Sequence, residues 1–390
     1  MQGPVKMTNI SNLLELADDR GASDLHLASG NFPMIRVDGE IQPIAEDKLT
    51  ADVVAAILHE IMTPEQRAAF EADKESDFSY ECGKKLRFRV NAFTNRHGAA
   101  VVFRTISSDQ LTLDELGAPR ALRRLADLEK GLVLVTGPTG SGKSTTLAAM
   151  IHYINSNKSR HIITIEDPIE FIHTPIKSLI NQREVGRDTH SFARALRGAL
   201  REDPEVILVG EMRDHETIAL ALTAAETGHL VMGTLHTSSA AKTIDRIIDV
   251  FPAGDKEMVR AMLAGSLQGI IAQSLLKRCD APGRIAAFEI LLGTSAIRNL
   301  IRENKIPQIL SMMQVGSDTG MRTMDDAIKL LVEAGAVSED EARSRMSSVT
   351  GGGEMDEARP TADASGVADV ADDRQAKPRI VRGKPNDYSF

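Results

Sequence analysis

The sequence predicts an α/β protein in which a mixed N-terminal domain precedes a larger domain built on a parallel sheet. Between residues 120 and 345, short apolar runs alternate with helical patterns, which is typical of a buried parallel sheet. Before residue 106, segments with helical and strand periods are intermixed, which indicates an α+β arrangement. The length of 390 residues, 42% of them hydrophobic, suffices for two or three domains with separate cores.

The composition narrows the classes of function. A net charge of −9 and the absence of tryptophan argue against a general nucleic-acid-binding surface, so we expect no nucleic-acid partner. The sequence has no run of about 18 apolar residues and does not start like a signal peptide, which predicts a cytoplasmic protein. Cys82 and Cys279 form no CxxC pair, so we expect two reduced thiols and no bound zinc.

The N-terminal domain is predicted to span residues 1–106. An apolar period near its start indicates a helix, and strand patterns dominate its second half. The alternation in residues 86–93 places Arg87 and Arg89 on one strand face, and residues 100–104 are the expected partner strand. The sheet is therefore predicted to have one solvated, basic face.

A linker and a second domain follow. Turn and breaker residues in 107–119 predict the linker, and 120–350 are predicted to form the parallel-sheet domain with C-terminal helices. Its strands are predicted at residues 132–135, 162–165, 206–209 and 230–234. Residues 351–390 begin with three glycines and contain few large apolar residues, so we expect a disordered tail.

A phosphate-binding loop lies between the first of these strands and a predicted helix. Its motif is Gly137, Pro138, Thr139, Gly140, Ser141, Gly142, Lys143 and Ser144, with Thr145 next in the helix. The glycines let backbone N–H groups curl around phosphate oxygens, to which the helix N-terminus adds partial positive charge. Lys143 is expected to reach the β and γ phosphates and Ser144 to ligate Mg²⁺. The predicted cofactors are therefore ATP and Mg²⁺.

Glu211 is the candidate for orienting the attacking water. It follows the apolar strand 206–209, and many P-loop enzymes place an acid at the end of such a strand. Gly210 occupies the position where many of them have Asp. The alternative is that Glu211 is a solvated residue after a strand.

A second strand also ends in acids. Glu166, Asp167 and Glu170 follow strand 162–165, and the carboxyl ends of strands in an open parallel sheet converge on the ligand crevice. Glu166 and Glu170 are catalytic candidates, and Glu166 and Asp167 are candidates for the magnesium shell. The alternative is an ordinary acidic turn before Pro168.

Histidines flank one strand of the second domain. His229 precedes strand 230–234 and His236 follows it, so each is a candidate γ-phosphate sensor and each has the alternative of capping a strand.

Arginines form two candidate groups for neutralising phosphate charge. Arg194, Arg197 and Arg201 recur on one face of a predicted helix. The second group, on the basic sheet face, is Arg87, Arg89 and Arg104. Such groups are usually solvated faces, but in an NTPase an arginine from another domain or subunit offsets charge that develops on the phosphate.

Together these motifs resemble the type II and type IV secretion ATPase superfamily and, within it, the retraction ATPases of type IV pili. The matching segments are 137–144 (Walker A), 164–170 (Asp box), 209–213 (an atypical Walker B that accommodates Gly210) and 227–236 (His box). Residues 296–300 resemble the C-terminal signature of retraction ATPases. They also fit an amphipathic helix, with Ile297, Leu300 and Ile301 inward and Arg298, Asn299 and Arg302 outward.

The resemblance implies a PAS-like N-terminal domain, a RecA-like ATPase domain and a homohexameric ring. ATP is then expected between the two domains, with Glu211 orienting water, and Lys143, His229 and arginines offsetting phosphate charge. Arg89 and Arg104 match the family's arginines best, and Arg197 and Arg201 are further candidates. The implied partners are an inner-membrane platform protein at the pilus base and a second retraction ATPase.

Three alternatives remain open at this point. The segment after residue 350 lies outside the usual family pattern, so a resemblance to accessory retraction ATPases also stays open. A RecA-like helicase or DNA translocase shares the P-loop and the ring. A nucleotide-binding regulator without turnover retains Lys143, although Glu211 argues against it.

Overall fold

The computed structural model describes residues 9–37, 39–83, 86–106 and 111–350, with side chains described up to residue 346. The tail predicted to be disordered, 351–390, lies outside the described residues. We keep 1–106, 107–119 and 120–350 as proposed domain boundaries, since each of the two sheets falls within one domain. Among the described residues, no helix is both long and apolar enough to cross a membrane.

The N-terminal part is an antiparallel sheet with helices packed on one face. Its strands are β1 (Asp24–Ala28), β2 (Met34–Val37), β3 (Glu40–Pro43), β4 (Glu75–Cys82), β5 (Leu86–Asn95) and β6 (Gly98–Ile106), in the order β3-β2-β1-β6-β5-β4. Its helices are α1 (Ile10–Asp19), α2 (Ala51–Ile61) and α3 (Pro64–Asp73). Helix α1 buries its apolar stripe as predicted, and β5 pairs with β6 as predicted.

The C-terminal part is a seven-stranded sheet with helices on both faces. Its strands are β7 (Gly131–Thr136), β8 (His161–Glu166), β9 (Leu179–Glu184), β10 (Val206–Val209), β11 (Leu230–Leu235), β12 (Leu267–Lys277) and β13 (Arg284–Leu292), in the order β13-β12-β7-β11-β10-β8-β9. All neighbours are parallel except β12 and β13. The predicted parallel sheet is confirmed.

Ten helices of this part are described. They are α4 (Arg120–Ala126), α5 (Lys143–Asn157), α6 (Phe192–Ala199), α7 (His215–Glu226), α8 (Ala240–Asp249), α9 (Lys256–Ser266), α10 (Ser295–Arg302), α11 (Ile309–Val315), α12 (Met324–Glu333) and α13 (Glu339–Thr350). Short 3₁₀ turns at Ile306–Gln308 and Ser317–Thr319 flank α11. Separate apolar clusters cover the two faces of the sheet, so both faces of its central strands are buried.

Strand register brings the predicted motifs to one edge of this sheet. The last residue of β7, Thr136, lies beside Leu235 of β11, and Val209 of β10 lies beside Ile165 of β8. The segments that follow these parallel strands therefore meet at the same edge, where open α/β sheets bind ligands.

The prediction of a solvated basic face is wrong for Arg87. Arg87 is 6% exposed, because Glu184 at the end of β9 covers it and receives its hydrogen bond at 2.8 Å. Arg89 and Arg104 are only partly covered, with side-chain exposures of 42% and 68%. This face of the N-terminal sheet is therefore solvated at Arg89 and Arg104, whereas at Arg87 it contacts the second sheet.

The outward placement of Arg298 is also wrong. Helix α10 buries Ile297 and Ile301 as predicted, and Leu300 is partly buried. Arg298, however, donates hydrogen bonds to the carbonyl oxygens of Gly293 at 2.7 Å and Gly265 at 2.6 Å. Its side chain is long enough to bend around the helix and reach these carbonyls, which a division of the helix into inner and outer faces does not anticipate.

Candidate nucleotide-binding and catalytic site

The phosphate-binding loop has the backbone geometry that its glycines predict. Gly142 has φ = 86°, in the left-handed region, and the helix α5 that follows has no side-chain cap. A Cβ atom on Gly137 would lie 2.4 Å from the carbonyl oxygen of Gln273. The first N–H groups of α5 are thus left for a ligand, and a helix N-terminus in such a loop is suited to phosphate.

Lys143 points into this loop. Its side chain donates hydrogen bonds from Nζ to the carbonyl oxygens of Gly137 at 3.0 Å and Pro138 at 3.1 Å, and Nζ lies 3.4 Å from His236 Nδ1. Burial lowers the pKa of Lys143, and the negative charge of Glu211 opposes this shift. A buried ammonium group at the centre of the loop fits a polyphosphate.

Ser141 gives a second indication of a polar ligand. Its hydroxyl oxygen is buried and has no hydrogen-bond partner within the described part of the chain. Buried hydroxyl groups are normally paired, so an unpaired one inside a loop of this geometry fits a site that a polar group completes.

Glu211 is held as a carboxylate by two basic groups. Its Oε2 lies 2.7 Å from Arg213 Nη2, and its Oε1 lies 3.2 Å from His236 Nε2. Burial acts to raise the pKa of Glu211, but the hydrogen bonds and charge of Arg213 and His236 outweigh it and keep this pKa below its usual value. Glu211 is therefore an ionised acceptor at neutral pH, as a water-orienting group requires.

Gly210 is explained by the close approach of two strand ends. A Cβ atom at this position would lie 3.2 Å from both the Glu166 Cα and the Ile165 carbonyl oxygen. The hydroxyl of Thr234 also donates a hydrogen bond to the Gly210 carbonyl oxygen. A side chain at this position would crowd the end of β8, which fits a glycine here.

Glu166 is anchored at the end of β8, where the acidic turn begins. Its Oε1 accepts hydrogen bonds from the Thr164 hydroxyl at 2.7 Å and from Gln182 Nε2 at 3.4 Å. Burial raises the pKa of Glu166 to about 7, against the effect of these hydrogen bonds. Burial likewise raises the pKa of Asp167, although nearby arginines oppose it. Glu166 can therefore gain or lose a proton near neutral pH.

Arg89 and Arg104 reach the same edge from the N-terminal sheet. They are opposite one another in the pairing of β5 with β6. Arg89 Nη2 lies 2.5 Å from Asp77 Oδ2, and Arg104 Nε lies 3.0 Å from Asp24 Oδ1. The N-terminal sheet thus supplies two guanidinium groups to the edge where the phosphate-binding loop lies.

One cavity of about 460 Å³ joins most of these groups, a volume within the usual range for ligand sites. The predicted site residues that line it are Arg89, Arg104, Thr139, Gly140, Gly142, Lys143, Ser144, Thr145, Glu166, Asp167, Glu170 and Glu211. Gly137, Pro138 and Ser141 belong to the same loop without lining this cavity. The structure therefore brings together acids, arginines and the phosphate-binding loop.

His229 is not brought to this cavity. It precedes Leu230, which pairs with Gly131 at the start of β7, whereas the loop follows the other end of that strand, roughly 17 Å away. Its Nδ1 lies 2.9 Å from the Ala224 carbonyl oxygen, so it closes the turn before β11. His236, at the opposite end of β11, is the histidine that contacts Lys143 and Glu211.

Arg197 and Arg201 also lie outside this cavity. Arg197, on α6, pairs with Glu216 of α7, and Arg201 is exposed at the end of α6. Phe192, the first residue of α6, lines the cavity, but neither of these arginines does.

The described residues contain no group of three or more His, Cys, Asp or Glu side chains arranged to hold a metal ion. Mg²⁺ commonly takes few protein ligands and binds through substrate phosphates and waters, so this arrangement is compatible with magnesium. The Ser144 hydroxyl lines the cavity beside the loop, and Glu166 and Asp167 line its acidic side.

Sequence reasoning missed two polar residues of the site, Gln273 and Arg213. Gln273, in the apolar strand β12, accepts a hydrogen bond from the Thr146 hydroxyl at 2.7 Å and lies against Gly142. A lone glutamine in an apolar strand was the available signal. Arg213 was signalled by its spacing, since it lies two residues after Glu211 and an extended chain places such side chains on one side.

Comparisons with known proteins show which proteins this chain is similar to. The chain is 58% identical over 337 residues to the type IV pilus retraction ATPase PilT of Pseudomonas aeruginosa, covering 86% of this chain and 98% of the relative. It is 40% identical over 330 residues to the type IV pilus ATPase PilU of the same organism, covering 85% and 86%. A crystal structure of the pilus retraction motor PilT with bound ADP superposes with a TM-score of 0.80 and 46% identity, covering 86% of this chain and 96% of that one.

A family profile confirms the relationship over most of the chain. The profile described as type II/IV secretion system protein matches residues 2–344, which include both sheets and every segment that lines the cavity. The chain therefore belongs to the type II/IV secretion system protein family.

Proposed function

We propose that this protein is an ATPase that powers the retraction of type IV pili and thereby twitching motility. One observation supports the ATPase most strongly. A single cavity joins a phosphate-binding loop, an ionised Glu211 and two arginines from a separate sheet. The assignment to retraction is supported by the relatives, since PilT and the ADP-bound retraction motor each match most of the chain.

The residues divide the work of ATP hydrolysis. Bound Mg²⁺ supplies a charge that neutralises the β and γ phosphates when ATP is present. The loop N–H groups and Lys143 hold these phosphates, and Ser144 provides the hydroxyl ligand for the metal, with Glu166 and Asp167 on its acidic side. Glu211 orients a water molecule for in-line attack on the γ-phosphorus, where it accepts a proton from that water.

Positive groups offset the charge that develops on the transferred phosphoryl group. Lys143, Arg89 and Arg104 take this role, and His236 replaces His229 in it because His236 stands beside Lys143. Arg197 and Arg201 do not line this cavity, so we assign them no contact with the phosphates bound there. Glu170 also lines the cavity, where it would contact water molecules bound to Mg²⁺.

Movement follows from the origin of these groups in two sheets. The arginines belong to the N-terminal sheet and the phosphate-binding loop to the C-terminal one, so loss of the γ-phosphate removes the anion that both hold. In a homohexameric ring, the resulting change in domain angle moves a central partner. The proposed partners are an inner-membrane platform protein and a second retraction ATPase, with the protein at the cytoplasmic side of the pilus base.

Two other functions are less well supported. The chain is 58% identical to PilT and 40% identical to PilU, which favours the main motor over the accessory one. A DNA translocase is disfavoured by the net charge of −9, and it would show ATPase activity that DNA stimulates and salt suppresses.

Deletion of the gene tests the proposal. The deletion strain should lose twitching motility and carry excess pili on its surface, and the wild-type gene should restore both. Purified protein should hydrolyse ATP at the same rate with and without DNA. Normal motility of the deletion strain, or loss of pili together with motility, would contradict retraction.

A further inference from the structure

Glu184 is a buried carboxylate that lies next to the catalytic cavity but does not line it. It ends β9 and is 4% exposed. Its Oε1 accepts a hydrogen bond from the Ser79 hydroxyl at 2.7 Å, and its Oε2 accepts one from Arg87 Nη2 at 2.8 Å. The same Oε2 accepts a hydrogen bond from the backbone N–H of Ile169 at 3.2 Å.

These three donors come from two different parts of the protein. Ser79 and Arg87 lie on β4 and β5 of the N-terminal sheet, whereas Ile169 lies in the acidic turn after β8 of the C-terminal sheet. One carboxylate therefore holds the N-terminal sheet against the acidic turn.

Each side of this contact continues directly into the cavity. Arg87 and Arg89 are two residues apart on the same face of β5, so their positions differ by roughly 6.5 Å along one rigid strand. Ile169 directly precedes Glu170 and lies two residues after Asp167, and both acids line the cavity. A shift at Glu184 is thus passed to Arg89 on one side and to the acids on the other.

The ion pair within this contact is made through one nitrogen of Arg87. Arg87 donates to Glu184 through Nη2, while its Nε is buried without a hydrogen-bond partner among the described residues and has Glu81 at 3.9 Å. An arginine that paired through both nitrogens would be held more firmly. Both charged groups are more than nine-tenths buried, so removal of either leaves the other unpaired in a poor environment.

We propose that Glu184 is a positioning residue for ATP turnover, which fixes Arg89 and the acidic turn relative to one another across the two sheets. This inference rests on the proposed ATPase function and adds a group outside the cavity to it. Its loss leaves the phosphate-binding loop intact, because that loop is held by β7, α5 and Gln273. Turnover therefore depends on Glu184, and ADP binding does not.

The experiment separates positioning from stability by removing the charge pair in two steps. The full-length variants Arg87→Met, Glu184→Met and the double variant are compared for melting temperature, ADP dissociation constant and kcat for ATP. Each single variant should melt below wild type, since one buried charge loses its partner. The double variant should regain most of the melting temperature, because well-packed apolar side chains replace a buried ion pair at little cost.

The rates decide the outcome. We expect all three variants to bind ADP as wild type does and to lose about tenfold to a hundredfold in kcat, since small misplacement of catalytic groups has effects of this size. A double variant with wild-type kcat would reduce Glu184 to a stabilising contact and overturn the proposal. If the double variant does not fold, Glu184→Gln decides in the same way, since it keeps the acceptor for Ser79 but loses the charge that holds Arg87.

A neighbouring ion pair provides a matched control. Arg187 and Glu81 also join the C-terminal part to β4, at 3.6 Å, but their side chains are 57% and 56% exposed. Arg187→Gln should leave kcat unchanged, and an equal loss of kcat there would show that any change at this junction slows turnover. Lys143→Ala, measured in parallel, tests the proposed nucleotide site itself. A dead Lys143→Ala beside a fully active Arg87/Glu184 double variant would refute the positioning role alone.

Discussion

Arg89 and Arg104 are directly opposite one another on β5 and β6, and both side chains line the cavity that contains Lys143. Like charges at such positions repel unless a counter-charge is present. Asp77 and Asp24 each neutralise one of them at the edge of the cavity. Each of the two guanidinium groups is thus held at the cavity by its own carboxylate, where it is available to an anion.

Removal of one of these arginines should slow chemistry far more than it weakens nucleotide binding. We expect Arg104→Gln to lower kcat by about a hundredfold or more, because an arginine that offsets transition-state charge contributes at least this much. Phosphate release under saturating ATP measures it. Arg36→Gln is the control: Arg36 also faces Asp24, at 3.7 Å, but does not line the cavity, so its turnover should stay near wild type. An equal loss of turnover in both variants would show that the loss arises from the disturbed Asp24 and not from the missing arginine in the cavity.

Lys143 and Glu211 should give defects of different kinds. Lys143→Ala should weaken nucleotide binding, because it removes the buried ammonium group from the loop. Glu211→Gln should bind nucleotide normally and lose roughly a hundredfold or more in turnover, because the amide cannot accept the proton of the attacking water. Titration with a fluorescent ATP analogue and phosphate release distinguish the two, and near-normal turnover in Glu211→Gln would remove that residue from the mechanism.

Glu166 should make stability depend on pH in a particular direction. Its pKa is about 7 in the folded protein and near 4.5 when unfolded, so the unfolded chain loses its proton first as pH rises. Between these values, folding stability contributed by Glu166 falls with increasing pH. Glu166→Gln, which mimics the protonated acid, should therefore gain stability over wild type from pH 5 to pH 8, by about 1–3 kcal/mol.

Urea unfolding of both proteins at several pH values measures this difference. The free energy of unfolding of Glu166→Gln minus that of wild type should be near its minimum at pH 5 and largest at pH 8. A difference that is constant with pH would show that the carboxyl group titrates at its ordinary value in the folded protein.

Arg298 should matter for stability, contrary to what an outward position implies. Its guanidinium donates to the carbonyl oxygens of Ala264, Gly265 and Gly293, where α9 ends and α10 begins. Arg298→Ala leaves these acceptors, of which those on Ala264 and Gly293 are partly buried, without this donor, so we expect a loss of about 1–3 kcal/mol in the free energy of unfolding. Calorimetry measures it, and an unchanged melting temperature would show that water replaces the guanidinium.

Asn299 is the matched position for a test of coupling. Asn299 is exposed and bonds to Glu303 one turn later, so Asn299→Ala should change stability by less than about 0.5 kcal/mol. If residues 296–300 couple hydrolysis to retraction, the variant keeps its ATPase rate and loses motility. Wild-type motility of Asn299→Ala would assign this exposed side chain no part in coupling.

The sequence predicted those parts of the site whose residues are adjacent in the chain, and it failed where residues meet only in the folded protein. The strand, loop and helix around Lys143 are adjacent in sequence, so their motif predicted their geometry. His229 lies before β11 and His236 lies after it. The carboxyl ends of parallel strands form the edge that binds ligands, and this favours His236. No local pattern shows which helix face meets the cavity, so Arg197 remained a further candidate beside the better-matching Arg89 until the sheets were placed. The partner of Arg87 and most partners of Arg298 are distant in sequence, which is why both were expected in solvent.

The central claim is that ATP hydrolysis at this cavity drives retraction, and retraction of individual pili in cells that carry only Glu211→Gln tests it most directly. Fluorescently labelled pili would be followed by microscopy, with the level of the variant matched to wild type by immunoblot. The account predicts that pili extend, fail to retract and accumulate at the surface, because nucleotide binds but is not hydrolysed. Retraction at wild-type speed would contradict it.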